Sequence, residues 1–332
     1  MATSDSPKSI AATRTLQVAK AAAPATGSAQ ITISGTGFGT RTAAYNHYIN
    51  YNDVADGTAH PALGYVESNS SVYPTVESND SHDGGKSLEG FYPAVGNFFP
   101  KLRRNFTPIE QIYGAFWFKW TPPAQGAPVT DVGIFKLFRT GFTNYNGYPR
   151  AVETIRSSGS GVQTSSDTGV FRDDATNSYD FVGNSDYLKD AGQWHFCEYF
   201  FKLSTPGQPD GVWAGWTNGK PSFFDFAAIT RFQSDSRINF FINMFDGRDR
   251  DAFDMTVYQS EEYVSSARAR VIITDNADYS LSTTWQIQPV VSWSDSSIVV
   301  ARQQGALSLG TNYAHIFNES DQLVDSQAVE FN

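Results

Sequence analysis

The sequence predicts an all-β protein, and three observations predict it. Aromatic residues make up 14% of the 332 residues while charged residues make up only 17%. Short β-type runs recur along the chain, separated by Gly, Ser, Asn, Asp and Pro. No long stretch places apolar residues at helical spacing.

The bulk numbers exclude several classes of function. The net charge is -10. An acidic surface repels phosphate backbones, so nucleic-acid binding is not expected. No segment approaches the roughly 18 apolar residues that cross a membrane as a helix. Residues 1–6 lack a basic region followed by an apolar one, so they do not read as a signal peptide. With Cys197 as the single cysteine, no intrachain disulfide can form. It lies in an apolar run and reads as a buried thiol.

Residues 1–27 are Ala, Ser, Thr, Pro and Lys with few large apolar side chains. Such an arm is disordered alone and is expected to be pinned by a neighbouring subunit. Residues 31–34 then read as a strand running into the turn Gly35-Thr36-Gly37-Phe38-Gly39. Residues 41–81 are loop-rich. Strand-like runs follow at 85–88, 114–120, 132–139 and 151–155, with a long loop over 156–190. Residues 193–202 are apolar on both alternating sets, which predicts a central strand covered on both faces. Pro209-Asp210-Gly211 and Asn218-Gly219 read as turns on either side of a strand at 212–216. Closing strands are expected at 239–245 and 253–258, and further strands at 269–273, 298–300 and 328–331.

Two resemblances organise these elements. The 31–39 segment joined to the C-terminal segments resembles one small immunoglobulin-like domain of the IPT/TIG type. Everything between would be an insertion, which is tolerated where strand ends lie close together. The run from Gly192 to Phe226 resembles the concanavalin A-like jelly roll of heparin-lyase-like and alginate-lyase-like proteins. Its skeleton is Gly-Gln-Trp-His, a Phe/Tyr-rich strand, a Pro-Asp-Gly turn, a Trp-rich strand and Asn-Gly-Lys. The expected organisation is an arm at 1–27, a split Ig-like domain at 28–40 and 266–332, and a jelly-roll β-sandwich at 41–265.

The resemblance implies motifs that can be checked. Glucanases of this fold carry Glu-x-Asp-x-x-Glu, because retaining hydrolysis needs two closely spaced carboxyls. Alginate-lyase-like members carry Gln-Ile-His and Tyr-x-Lys-x-Gly-x-Tyr strands. None of these occurs here. The nearest set is Lys136, Arg139, Tyr145, Tyr148 and Arg150, whose cations and phenols suit an acidic sugar. The same cluster also reads as a loop packed by its own aromatics. Trp213 is a candidate for stacking on a pyranose, and Trp216, three residues on, would point to the opposite face. Glu198 and His195 read as structural groups inside the sandwich. Asp246, Asp249, Asp251 and Asp254 form an acidic stretch that could supply the oxygens of a calcium site, with Arg248 and Arg250 offering charge pairing instead.

The expected function is a non-enzymatic structural or glycan-binding protein. The specific expectation is a bacteriophage virion component, a capsid decoration or tail-associated protein. The arm and Ig-like domain would anchor it to other virion or surface subunits, as a homo-oligomer or part of an assembly. The jelly roll would face host or environmental glycans. The alternative is a secreted polysaccharide lyase or glycoside hydrolase acting on an acidic polysaccharide.

Overall fold

The computed structural model describes residues 14–15, 29–59, 74–93, 103–121, 134–142, 150–158, 161–166, 169–171, 179–181, 192–231, 237–243, 248–249 and 254–332. The chain divides into two compact units, residues 1–40 with 270–332 and residues 41–269. Among the described residues no helix is long and apolar enough to cross a membrane.

The discontinuous unit is built of two sheets. Gln30–Ser34, Ser297–Ala301 and Val290–Trp293 form a three-stranded sheet. The second has five strands, in the order Arg14–Thr15, Leu323–Phe331, Gly310–Phe317, Arg270–Thr274 and Trp285–Gln288. The arm segment Arg14–Thr15 pairs parallel with Gln327 and Ala328 of the chain's own edge strand. Alternating residues from both sheets, Ile31, Ile33, Ile298 and Val300 against Val271, Ile273, Ile316 and Val329, make one core. The Gly-rich turn works as a plug. Phe38 is buried in that core, and its ring occupies the space a side chain on Gly35 would need. Gly37 and Gly39 take φ of 81° and 73°, and the Asp295 carboxylate accepts from the Gly39 N–H at 2.9 Å.

Residues 41–269 form a sandwich of two antiparallel sheets. The larger runs Lys220–Ala228, Gly211–Thr217, His195–Lys202, Gln111–Trp120, Met255–Ser265, Ser87–Tyr92 and Thr75–Glu77, with Asn46–Asn50 also paired to the 255–265 strand. The other also has eight strands, shorter on the whole, running Tyr179–Phe181, Gly169–Phe171, Arg150–Ser158, Ile134–Phe142, Ile238–Asn243 and Arg103–Ile109, with Gly161–Ser166 paired to the 150–158 strand and Arg248–Asp249 to the 134–142 strand. Alternation sets the inner face. Ile112, Phe116, Phe118 and Trp120 of one strand and Cys197, Tyr199 and Phe201 of its neighbour meet Ile238 and Phe241 of the opposite sheet. Gly114 makes room for this packing, since the Tyr199 ring lies about where its Cβ would be.

The strand His195–Lys202 is buried at every position but the last, as expected of a strand covered on both faces. Asn218 and Gly219, at φ of 52° and 70°, close the hairpin that follows, the left-handed pair a tight two-residue turn requires.

Candidate functional site

The outer face of the smaller sheet gathers cations. Phe241 and Thr140 are buried on the inner side, so their neighbours in sequence alternate outward. Register places Ile242 between Arg103 and Arg139, and Phe240 between Asn105 and Gly141. Arg139 pairs with Val152 and Lys136 with Thr154, so both positions lie on the same outer face. Arg150 and Arg156 stand two and four residues from Val152 in the same strand and share that face. The row continues through Phe171, opposite Arg150, to Tyr179. Asp249, opposite Ile134, is the acid at the far end.

The side chains of Arg103, Asn105 and Phe240 define one end of this face. The Arg103 guanidinium lies 3.9 Å from the centroid of the Phe240 ring. Its Nε donates to Asn105 Oδ1 at 2.6 Å, and Asn105 is exposed. Phe240 lies across Gly141, where an added Cβ would fall 1.8 Å from the ring. The contact with the ring limits how far the Arg103 guanidinium can move on this face.

The sequence candidates distribute unevenly. Lys136, Arg139 and Arg150 share the face. Tyr145 and Tyr148 lie outside the described residues. Trp213 is a correction. It is fully buried and meets Phe201 edge to face at 5.5 Å, so its indole offers no surface to a sugar. Of the acidic stretch, Asp254 is exposed before the 255–265 strand and Asp249 pairs with Ile134, while Asp246 and Asp251 lie outside the described residues. Among the described residues no cluster of three or more His, Cys, Asp or Glu could hold a metal. Arg103, Asn105, Phe240 and Arg156 were missed. The signal was the pair Arg103-Arg104 beginning a β-type run, which has no meaning until the register is known.

Two other polar groups are structural. Glu198 is buried and accepts from the Tyr113 hydroxyl at 2.7 Å. His195 is also buried, with Nδ1 3.3 Å from Asn218 Nδ2. Between the sheets, the buried Glu262 carboxylate accepts from Gln259 Nε2 at 3.1 Å, and its other oxygen lies 3.5 Å from His47 Nε2 and 3.8 Å from Arg104 Nε. Burial holds the His47 pKa below its ordinary value and pushes the nearby Tyr45 phenol up to about 12. This cluster sits on the side of Phe241, facing away from the cationic surface.

No family model matches the chain, and no curated protein matches it. Solved structures do. One is the alginate lyase Aly36B, as a variant in complex with an alginate trisaccharide, with a TM-score of 0.50 and 13% identity over 66% of this chain and 97% of that one. The middle unit is a jelly roll of the concanavalin A-like fold. An endo-β-1,4-glucuronan lyase from the fungus Trichoderma reesei aligns with a TM-score of 0.45 and 15% identity, over 68% of this chain and 95% of its own. A carbohydrate esterase from the Shiga toxin-encoding bacteriophage phi24B aligns with a TM-score of 0.42 and 13% identity, over 68% and 99%. At 13% identity the likeness to Aly36B establishes the jelly-roll fold and leaves activity to the chemistry of the site.

Proposed function

We propose that this chain is a glycan-binding surface protein whose jelly roll holds an acidic polysaccharide on the outer face of its smaller sheet. One observation carries the reading. Arg103, Lys136, Arg139, Arg150 and Arg156 share one sheet face in a chain whose net charge is -10. A cationic face on an otherwise acidic protein concentrates field where a polyanion can lie along it. The small two-sheet unit and the arm serve as the anchor, of the Ig-like type their sequence resembles. The carrier is a virion or cell surface, with a bacteriophage particle as the specific setting.

A second reading is favoured by the similarity of fold to an alginate lyase. In a polysaccharide lyase the same guanidinium groups would neutralise a uronate carboxylate while a tyrosine phenol moved the proton.

Affinity electrophoresis against a polyuronate and a neutral glycan tests the first reading. The polyuronate should be retained and the neutral chain not, and retention should fall with added salt. Arg103→Ala and Arg139→Ala should each weaken binding by about tenfold, as expected for loss of one charge-assisted contact. Equal retention of both glycans would overturn the reading. Ultraviolet absorbance from newly unsaturated uronate ends would move the assignment to the lyase.

A further inference from the structure

Trp117 lies on the face of the larger sheet turned away from the sandwich core, yet only 5% of it is exposed. Its cover is the segment 79–86, between Thr75–Glu77 and Ser87–Tyr92. The His82 imidazole stacks on the indole, with ring centroids 4.3 Å apart and planes 14° from parallel. His82 Nδ1 lies 2.9 Å from Ser260 Oγ. Asp80 adds a second pin. Its carboxylate pairs with Lys119 and accepts from Trp194 Nε1 at 3.1 Å, and its carbonyl accepts from Ser87 Oγ at 2.5 Å. Beneath the segment Trp117 packs on Phe196, and Trp194 on Tyr258.

We infer that residues 79–86 are an acid-released cover, which protonation of His82 lifts from Trp117 to expose an aromatic floor while the sandwich stays folded. The geometry supplies the trigger. Among the described residues the buried Nε2 of His82 has no hydrogen-bond partner. The tautomer that leaves no buried N–H unpaired has Nδ1–H donating to Ser260 Oγ and a lone pair on Nε2. Protonation converts Nε2 into a donor with no acceptor in a buried site, which the cover relieves by opening to water.

The neighbouring carboxylates are engaged with other groups. Asp80 is shared by Lys119 and Trp194. Asp83, on the same segment, accepts from the Gly85 N–H and from Asn52. From the adjoining strands, Glu89 accepts from Asn79, Glu261 accepts from Tyr48, and Tyr258 is a neutral phenol. Burial holds the His82 pKa down from 6.5 to about 4, with Asp83 pulling weakly the other way. A released imidazole titrates at its ordinary 6.5. Closure is therefore fully favoured above that pH and weakens as pH falls, the open-to-closed ratio rising roughly 150-fold by pH 4 and about 300-fold in the limit well below it.

Hydrogen exchange on the full-length chain, corrected for the intrinsic pH dependence of exchange, tests this. Between neutral pH and about pH 4, exchange within residues 79–86 should rise at least about tenfold, while the 111–120 and 195–202 strands keep their protection. Acrylamide quenching of tryptophan fluorescence should rise in parallel. His82→Phe preserves the stack and cannot be protonated, so it should abolish both changes. Unchanged protection of 79–86 down to pH 4 overturns the inference, as does a rise that persists in His82→Phe. So does a rise shared by the 111–120 strand. Should His82→Phe fail to fold, the His82 ring-proton titration in the native chain decides. A midpoint near 6.5 would overturn the proposal, because the imidazole would then already be exposed.

Discussion

The two sheets of the jelly roll use their outer faces for opposite ends. On the larger sheet the centre of the outer face is closed by the protein itself, while Phe91, Phe224 and Phe226 toward its edges are exposed. Trp117, Phe196, Glu198, Phe200 and Tyr263 are all buried at the centre. Glu198 and Tyr263 are engaged locally, with Tyr113 donating to Glu198 and Arg41 donating to Tyr263 and Ser265, each guanidinium contact 2.9 Å long. On the smaller sheet Asn105 is exposed and Arg103 rests on Phe240. Burying a polar network fixes one arrangement and contributes to stability, whereas charged contacts near the surface contribute little to folding. The contrast separates the face that holds the unit together from the face that can do something for a ligand.

Substitutions on the larger sheet should therefore act on stability first. Trp213→Ala removes the ring that meets Phe201 in the core and should cost about 3–5 kcal/mol in urea denaturation. Polyuronate binding should survive in the fraction that stays folded. Lost binding at undiminished stability would break the comparison and return Trp213 to the sugar site. Glu198→Ala should cost about 3 kcal/mol, because it removes a buried acceptor of the Tyr113 hydroxyl. Glu198→Gln keeps an acceptor and should cost clearly less. A double-mutant cycle with Tyr113→Phe sharpens the point. Coupling near zero would mean that the 2.7 Å contact is not what holds this face.

The sequence made the closed sheet more legible than the open one, and the reason is physical. Strand 195–202 and its hairpin were readable because burial on both faces and an Asn-Gly turn are local signals. The cationic face depends on pairing between segments far apart, as in Phe240 with Asn105. It also depends on a bulge. Lys136 and Arg139 are three apart, a spacing that would put them on opposite faces of a regular strand. The register shift between Lys136 and Phe138 restores them to one face. Nothing in the residue types announces that extra residue. Trp213 failed for a related reason. Alternation shows that it and Trp216 face apart, but only the register, with Trp213 opposite Phe201, says which one is core.

Gly141 probes the open face with the smallest change. The Phe240 ring lies where a Cβ on Gly141 would be, and Arg103 rests on that ring. Ala in a strand interior is ordinarily favoured over Gly by roughly 0.5–1 kcal/mol, so an unobstructed site would be stabilised by Gly141→Ala. Here the methyl must displace the ring, which removes the platform under the guanidinium. The expected outcome is a stability loss of about 1 kcal/mol and polyuronate binding weakened by roughly threefold, with the salt dependence unchanged because no charge is removed. Thermal denaturation and binding titration measure the two effects separately. A stabilised protein with full affinity would show that Phe240 moves freely and that Arg103 is not held by it.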